Sequence, residues 1–361
     1  LWFWFEHSGG EHTLVIGDHI GVCSPFPGAD QIRYHPRDAS TPEEDHLFFF
    51  GDAGQLTSGK YVARDYNFVQ PGADLETLEH LPASHPHARY EVYDFPGEYQ
   101  HLKEGIPFAQ VRMEALRAEH RRAQVEGRVR ALAPGRLFTL HGHPQASYNR
   151  EFLVLACDYQ FSDNDYAGFG GAQSMEAHVS AELHPTDQPY RPARRTPKPL
   201  SHGPDSAVVT GPAGQEIHTD VYGRVKVQFH WDRYGQRDEH SSCWIRVSHP
   251  WAGSGFGGVH IPRIGQEVIV DYLNGDPDQP IIVGRVYNGQ QPHPWQLPGA
   301  ATQSGFLTRS TLGGNYETAN ALRFEDKRGE EQVWLHAERN QDIEVENDET
   351  HWVGRDRTKT I

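Results

Sequence analysis

Residues 331–361 read EQVWLHAERNQDIEVENDETHWVGRDRTKTI, and the stretch repeats at a spacing of eight. Ala337, Val345, Val353 and Ile361 form an apolar column, Asn340, Asp348 and Asp356 a second column, and Asp342, Thr350 and Thr358 a third. A fixed period marks a repeat in which no unit buries its own apolar side, so that units must stack on neighbours. Ile343 and Val345 alternate with polar residues, which is the period of a strand. Each unit therefore reads as a short strand followed by an Asx-rich turn. A strip this narrow removes too little apolar surface from water to offset the entropy of ordering it. Association is the expected remedy, and identical strips from copies of the same chain, closed into a ring, leave no strand edge open. An exposed hairpin with a coincidental period is the plainer alternative.

Working back from the repeat, residues 290–330 are rich in Pro, Gly and Thr, begin to regularise at 321–326, and read as a neck. Residues 205–289 read as a compact all-β domain. Strands are expected at 225–229, 243–248, 267–272 and 281–286, with LNGDPDQ as the loop between the last two and one further strand before Tyr222. Five short strands in this length suit an OB-type barrel, with a β-sandwich as the alternative. Its expected core is Val225, Val227, Phe229, Ile245, Val247, Val268, Val270 and Ile282. The stretch RPARRTPKPLSHGP, 191–204, has no apolar period and reads as a linker, placed at 196–204.

In residues 1–195, two strand-like runs flank HSGGEH and predict a hairpin. Short aromatic runs at 47–50 and 61–68 and the segments 136–140 and 151–156 read as further strands. One amphipathic helix is expected to begin at Pro107, to show Phe108, Val111, Ala115 and Ala118 to the core, to keep Arg112, Glu114, Arg117, His120 and Arg121 on its other face, and to end at Gly127. The fold class is thus mainly β with one amphipathic helix.

The chain has 33 Lys and Arg against 49 Asp and Glu, a net charge of −16, which disfavours a nucleic-acid partner. Cys23, Cys157 and Cys243 are too few and too scattered for a disulfide framework or a zinc spacing, and are expected as buried thiols of a reducing compartment. No run is long enough to span a bilayer, and the opening Leu1 lacks the flank of a signal peptide. The pairs His85/His87 and His141/His143 would each place two imidazoles on one face of a strand, but neither has further ligands at a recognisable offset, so no metal is assigned. Ser254 sits in AGSGFGG without the pattern of a nucleophile elbow. No catalytic residue and no cofactor follow.

Residues 220–289, DVYGRVKVQFHWDRYGQRDEHSSCWIRVSHPWAGSGFGGVHIPRIGQEVIVDYLNGDPDQPIIVGRVYNG, closely resemble the VgrG spike proteins of bacterial type VI secretion systems. The likeness continues through LAPGRLFTLHGHP at 132–144 and LRFEDKRGEEQVWLHA at 322–337. It implies a β-barrel tail-hub domain over 1–195, an OB-fold over 205–289, and at 331–361 the start of a β-helix intertwined from three chains, with Ile343, Val345, Val353 and Ile361 toward its axis. The implied role is mechanical, a cell-puncturing spike that is not itself an enzyme. Implied partners are two further copies of the chain, an Hcp-like tube protein, a PAAR-type tip protein and effector or adaptor proteins. The implied route is cytoplasmic assembly followed by type VI secretion without a signal peptide. The start of the hub and the end of the needle are expected to be absent, and a toxin domain beyond Ile361 or a phage-like baseplate role are the alternatives.

Overall fold

The sharp GlyGly turn foreseen near the N-terminus is the first element of a computed structural model that describes residues 1–37, 44–162 and 176–361. Gly9 and Gly10, at φ +58° and +86°, take the left-handed conformation that a two-residue hairpin turn requires. They join Trp2–Ser8 to Glu11–Gly17 in strict antiparallel register. One face of this hairpin buries Trp2 and Trp4 against Cys23 and Leu153.

The chain divides into two compact units, Leu1–Thr196 and Pro197–Ile361. In the first, six strands close on themselves in the order Gln31–Tyr34, His46–Gly54, Arg121–Gly127, Glu176–Pro185, Glu151–Ser162 and Arg136–His141, which pairs back to the first. Closure removes both sheet edges. The interior is filled, because Leu47, Val125, Phe138, Leu140, Phe152 and Leu183 all point inward and are withdrawn from solvent. At one end of this core His184 is buried as a neutral ring. Its Nδ1 accepts a hydrogen bond from the Arg122 guanidinium at 3.0 Å, and its Nε2 donates to the Gln188 carbonyl at 3.0 Å.

Beside the barrel, strand Lys60–Arg64 pairs with Glu76–His80 and Glu91–Asp94, and the helix Leu102–Ala118 packs on this sheet. Three details of the expected helix change. It starts five residues before Pro107, where the Glu104 carboxylate accepts the backbone N–H groups of Gln100 and His101. It ends at Ala118, and Gly127 closes a strand. Its buried residues are Gly105, Ala109, Met113 and, as expected, Ala118, whereas Phe108 and Val111 are exposed and Arg117 is buried, donating to the Leu81 carbonyl at 2.7 Å. The reason is approach distance. A Cβ on Gly105 would lie 2.7 Å from the Tyr99 ring and 2.8 Å from the Thr77 methyl, so only the small residues let the helix reach the sheet.

The second unit contains a five-stranded barrel in the order Lys226–Phe229, Asp205–Thr210, Glu267–Tyr272, Pro280–Val286 and Arg246–Val247. A single bridge between Val225 and Ile245 closes it. The strand expected over 243–248 shrinks to two residues at this seam. Val225, Val227, Ile245, Val268, Val270 and Ile282 are buried in one cluster, while Phe229 and Val247 pack against it half-buried. The segment read as a linker is tied down on both sides of the division. Arg191 pairs with Glu114 at 2.7 Å in the first unit, and Lys198 pairs with Asp276 at 2.8 Å in the second.

Two predictions follow from this packing. Gly105→Val should destabilise the first unit by about 1–3 kcal/mol through overpacking, read as an earlier unfolding transition in urea, while Gln110→Ala on the exposed face of the helix should leave it unmoved. Burial, helped by the Arg122 charge and opposed by the Gln188 hydrogen bond, lowers the His184 pKa to about 4. The unfolded chain then binds the proton more readily, so the contribution of the neutral ring is complete above about pH 6.5 and is lost as pH falls toward 4. Urea midpoints across that range should show a loss of about 3 kcal/mol in the native protein and a flatter profile in His184→Asn; equal slopes would refute the assignment.

Candidate assembly interface

The repeat begins at the end of a three-stranded antiparallel sheet formed by Gln303–Leu307, Ala321–Glu325 and Gln332–His336. Register decides its two faces, since residues directly opposite each other point the same way. Phe306 stands opposite Leu322, which stands opposite Leu335, and Phe324 stands opposite Val333. One face is therefore an apolar cluster of five side chains. Phe306, Val333 and Leu335 are each at least 60% exposed, which marks a surface awaiting a partner. The opposite face is mainly polar and makes its contacts within the chain. The Arg323 guanidinium lies 5.0 Å from the Trp334 ring and donates to Gln332 at 2.9 Å, Trp334 stacks on His336, and Gln303 donates to Glu325 at 3.1 Å.

The sheet is fixed to its surroundings by charged groups. Hydrogen bonds from Thr302, Gln303 and the Lys327 backbone hold the Glu325 carboxyl below its usual range. Glu216 accepts the Gly313 N–H at 2.6 Å and pairs with Arg263, whose guanidinium donates to the Arg309 carbonyl at 2.8 Å. The Gly313 hydrogen bond is the main reason that the Glu216 carboxyl also lies below its usual range. The connection between the sheet's first two strands is thereby anchored to the barrel.

Beyond Glu338 the chain's backbone has no hydrogen-bond partner among the described residues. Its hydrogen bonds and ion pairs are side-chain contacts between near neighbours, Asn347 with Asp348, His351 with Glu349, and Arg355 with Asp356. The short strands expected inside each repeat unit are absent from the single chain. Ile343 is more than half exposed, Val345 and Val353 nearly half, and Ile361 wholly so. Those four residues thus continue, in sequence, from an apolar sheet face that the sequence reading missed. The alternation of Leu322 with Phe324 and of Val333 with Leu335 was the available signal.

The other candidates fall differently. Pro86–Arg89 is a 3-10 turn, so His85 and His87 do not share a strand face as expected. His141 ends its strand and Gly142 turns the chain, sending His143 against Tyr34, Phe50 and Tyr148 and breaking the second pair. Among the described residues, no three or more His, Cys, Asp or Glu gather in a metal-holding arrangement. Cys23 is buried and Cys157 half-buried, with burial raising both thiol pKa values, that of Cys157 to about 11; Cys243 is exposed, contrary to expectation. No helix among the described residues is long and apolar enough to cross a membrane.

Three family models match. Residues 1–165 match the phage tail baseplate hub (GPD), 214–287 the type VI secretion system/phage-baseplate injector OB domain, and 304–361 the bacteriophage T4 gp5 C-terminal trimerisation domain. The last span contains nearly the whole three-stranded sheet and all of the repeat. Among curated relatives, the type VI secretion system spike protein VgrG1b of Pseudomonas aeruginosa is 48% identical over 361 residues, 100% of this chain and 49% of that protein. Spike protein VgrG1c of the same organism is 47% identical over 361 residues, 100% of this chain and 50% of that protein. The actin cross-linking toxin VgrG1 of Vibrio cholerae is 34% identical over 364 residues, 99% of this chain and 32% of that protein. The chain spans about half the length of the first two relatives. With a hub barrel, an injector OB barrel and a trimerisation segment following one another, and with whole-chain likeness to the named spike proteins, the chain belongs to the VgrG family of type VI secretion spike proteins.

Proposed function

We propose that the chain forms the hub and upper shaft of a homotrimeric, cell-puncturing spike in a contractile type VI secretion machine, and that its role is mechanical. The observation that carries this reading is the apolar sheet face of Phe306, Phe324, Val333 and Leu335, followed by a repeat whose backbone has no partner among the described residues of its own chain. Three copies would turn these faces inward and hydrogen-bond the repeats to one another, with Ile343, Val345, Val353 and Ile361 lining the shaft. Residues 1–195 would act as hub, 205–289 as the joint between wide hub and narrow shaft, and 331–361 as the root of the needle. The expected neighbours are an Hcp-like tube protein on the hub side, a PAAR-type tip protein on the needle side, and effector or adaptor proteins carried with them. Assembly in the cytoplasm and export by the machine itself complete the proposal. A second reading, a carrier body for a toxin domain on the same polypeptide, is favoured by the likeness to the actin cross-linking toxin VgrG1 of Vibrio cholerae.

Burying each large apolar side chain of the sheet face contributes roughly 1.5–3 kcal/mol, and an Asp in its place loses that and leaves a charge facing the axis. Sedimentation at micromolar concentration should give a trimer for the native protein, and the double variant Leu335→Asp/Val353→Asp should weaken association by at least about a hundredfold with unchanged far-UV circular dichroism. A native protein that sediments as a stable monomer would sink the proposal. In a bacterium deleted for its own spike, the native gene should restore release of the tube protein and the double variant should not. Release by both would leave the assembly intact and remove the link to secretion.

A further inference from the structure

We propose that His7 and His12 form a two-histidine chelate for a borderline transition-metal ion, with zinc, nickel or copper(II) as the class of ligand. The two residues are direct cross-strand partners, one position in from the Ser8–Glu11 pair that closes the GlyGly turn. In an antiparallel hairpin with a two-residue turn this is a non-hydrogen-bonded position, where side chains on one face approach most closely. Their Nδ1 atoms face each other at 2.5 Å, with ring centroids 4.7 Å apart, and both residues are exposed. Two converging nitrogens leave room for one shared proton or one ion between them. A tetrahedral ion about 2.0–2.1 Å from each nitrogen needs them roughly 3.3 Å apart, an opening of about 0.8 Å that rotation of either side chain supplies. Each ring then carries its proton on Nε2, both rings stay neutral as ligands must, and the open coordination positions take water. Imidazole donors suit these ions, and copper(II) is the tightest of the divalent series.

The site also has a mechanical consequence. On the same hairpin face stand Phe3, Phe5, Leu14 and Ile16, all more than half exposed. An ion at the turn ties the two strands together at the position where backbone hydrogen bonds are missing, and so stiffens that apolar face. The two-residue turn makes the chelate a property of this hairpin, distinct from the His85/His87 and His141/His143 pairs, which the fold separates.

Calorimetric titration of the intact, untagged protein with copper(II) and zinc provides the test. His7→Asn/His12→Asn should lose one equivalent of binding relative to native protein, the exposed His141→Asn should lose none, and both variants should keep the native melting temperature without metal. Electron paramagnetic resonance of the native protein with one equivalent of copper(II) reads the ligand set without any substitution, and should show nitrogen coupling that His12→Asn reduces. Retention of every equivalent by the His7/His12 variant, or a copper spectrum free of imidazole nitrogen, would overturn the proposal.

Discussion

An extended backbone carries one donor and one acceptor per residue, and each must find a partner or stay in water. Residues 339–361 carry this demand with no backbone partner among the described residues of their own chain. Their side chains cannot supply a core either, since one apolar column on a strip of strand buries little. The sheet before them is in the same position on one side, with its polar face closed by Arg323, Trp334 and Gln303 and its apolar face bare. In such a segment folding and assembly are one event, and the reading of the chain as a spike component rests on that constraint.

The two barrels meet the same demand internally. The six-stranded barrel of the first unit returns to its starting strand and fills its interior, so no edge is left to recruit a partner. The OB barrel closes through one bridge at Val225 and Ile245, a narrow seam beside a fully buried core. A chain built this way joins self-sufficient barrels to a shaft that needs copies of itself. For the proposed mechanical role that division is useful, because the shaft draws its stiffness from pairing between chains.

Much of this was legible in sequence where a local period coincided with the final environment. The strands of the OB barrel announced themselves by alternation, and six of its eight expected core residues lie in one buried cluster. The helix was legible in existence and not in orientation. Phe108 and Val111 advertise an apolar face, but the sheet receives Gly105, Ala109 and Met113, since packing distance and not hydrophobicity selected the side. The histidine pairs failed for a related reason. Two-residue spacing shares a face only if the backbone stays extended, and a 3-10 turn at Pro86 and the turn at Gly142 prevent that.

By itself the sequence determined the quantities set by near neighbours: strand periods, the GlyGly turn, the eight-residue repeat with its need for partners, and, through resemblance, the family and its count of three. Only the tertiary structure decided which residues meet across long separations. It closed the first barrel by bringing Gln31–Tyr34 beside Arg136–His141, and by register alone it gathered Phe306, Leu322, Phe324, Val333 and Leu335 on one face. It also set His7 against His12 across a turn whose residues the sequence had shown without showing the register. The physical reason is that steric preference and hydrophobic period act within a few residues, whereas strand pairing is selected by the free energy of the whole closed sheet.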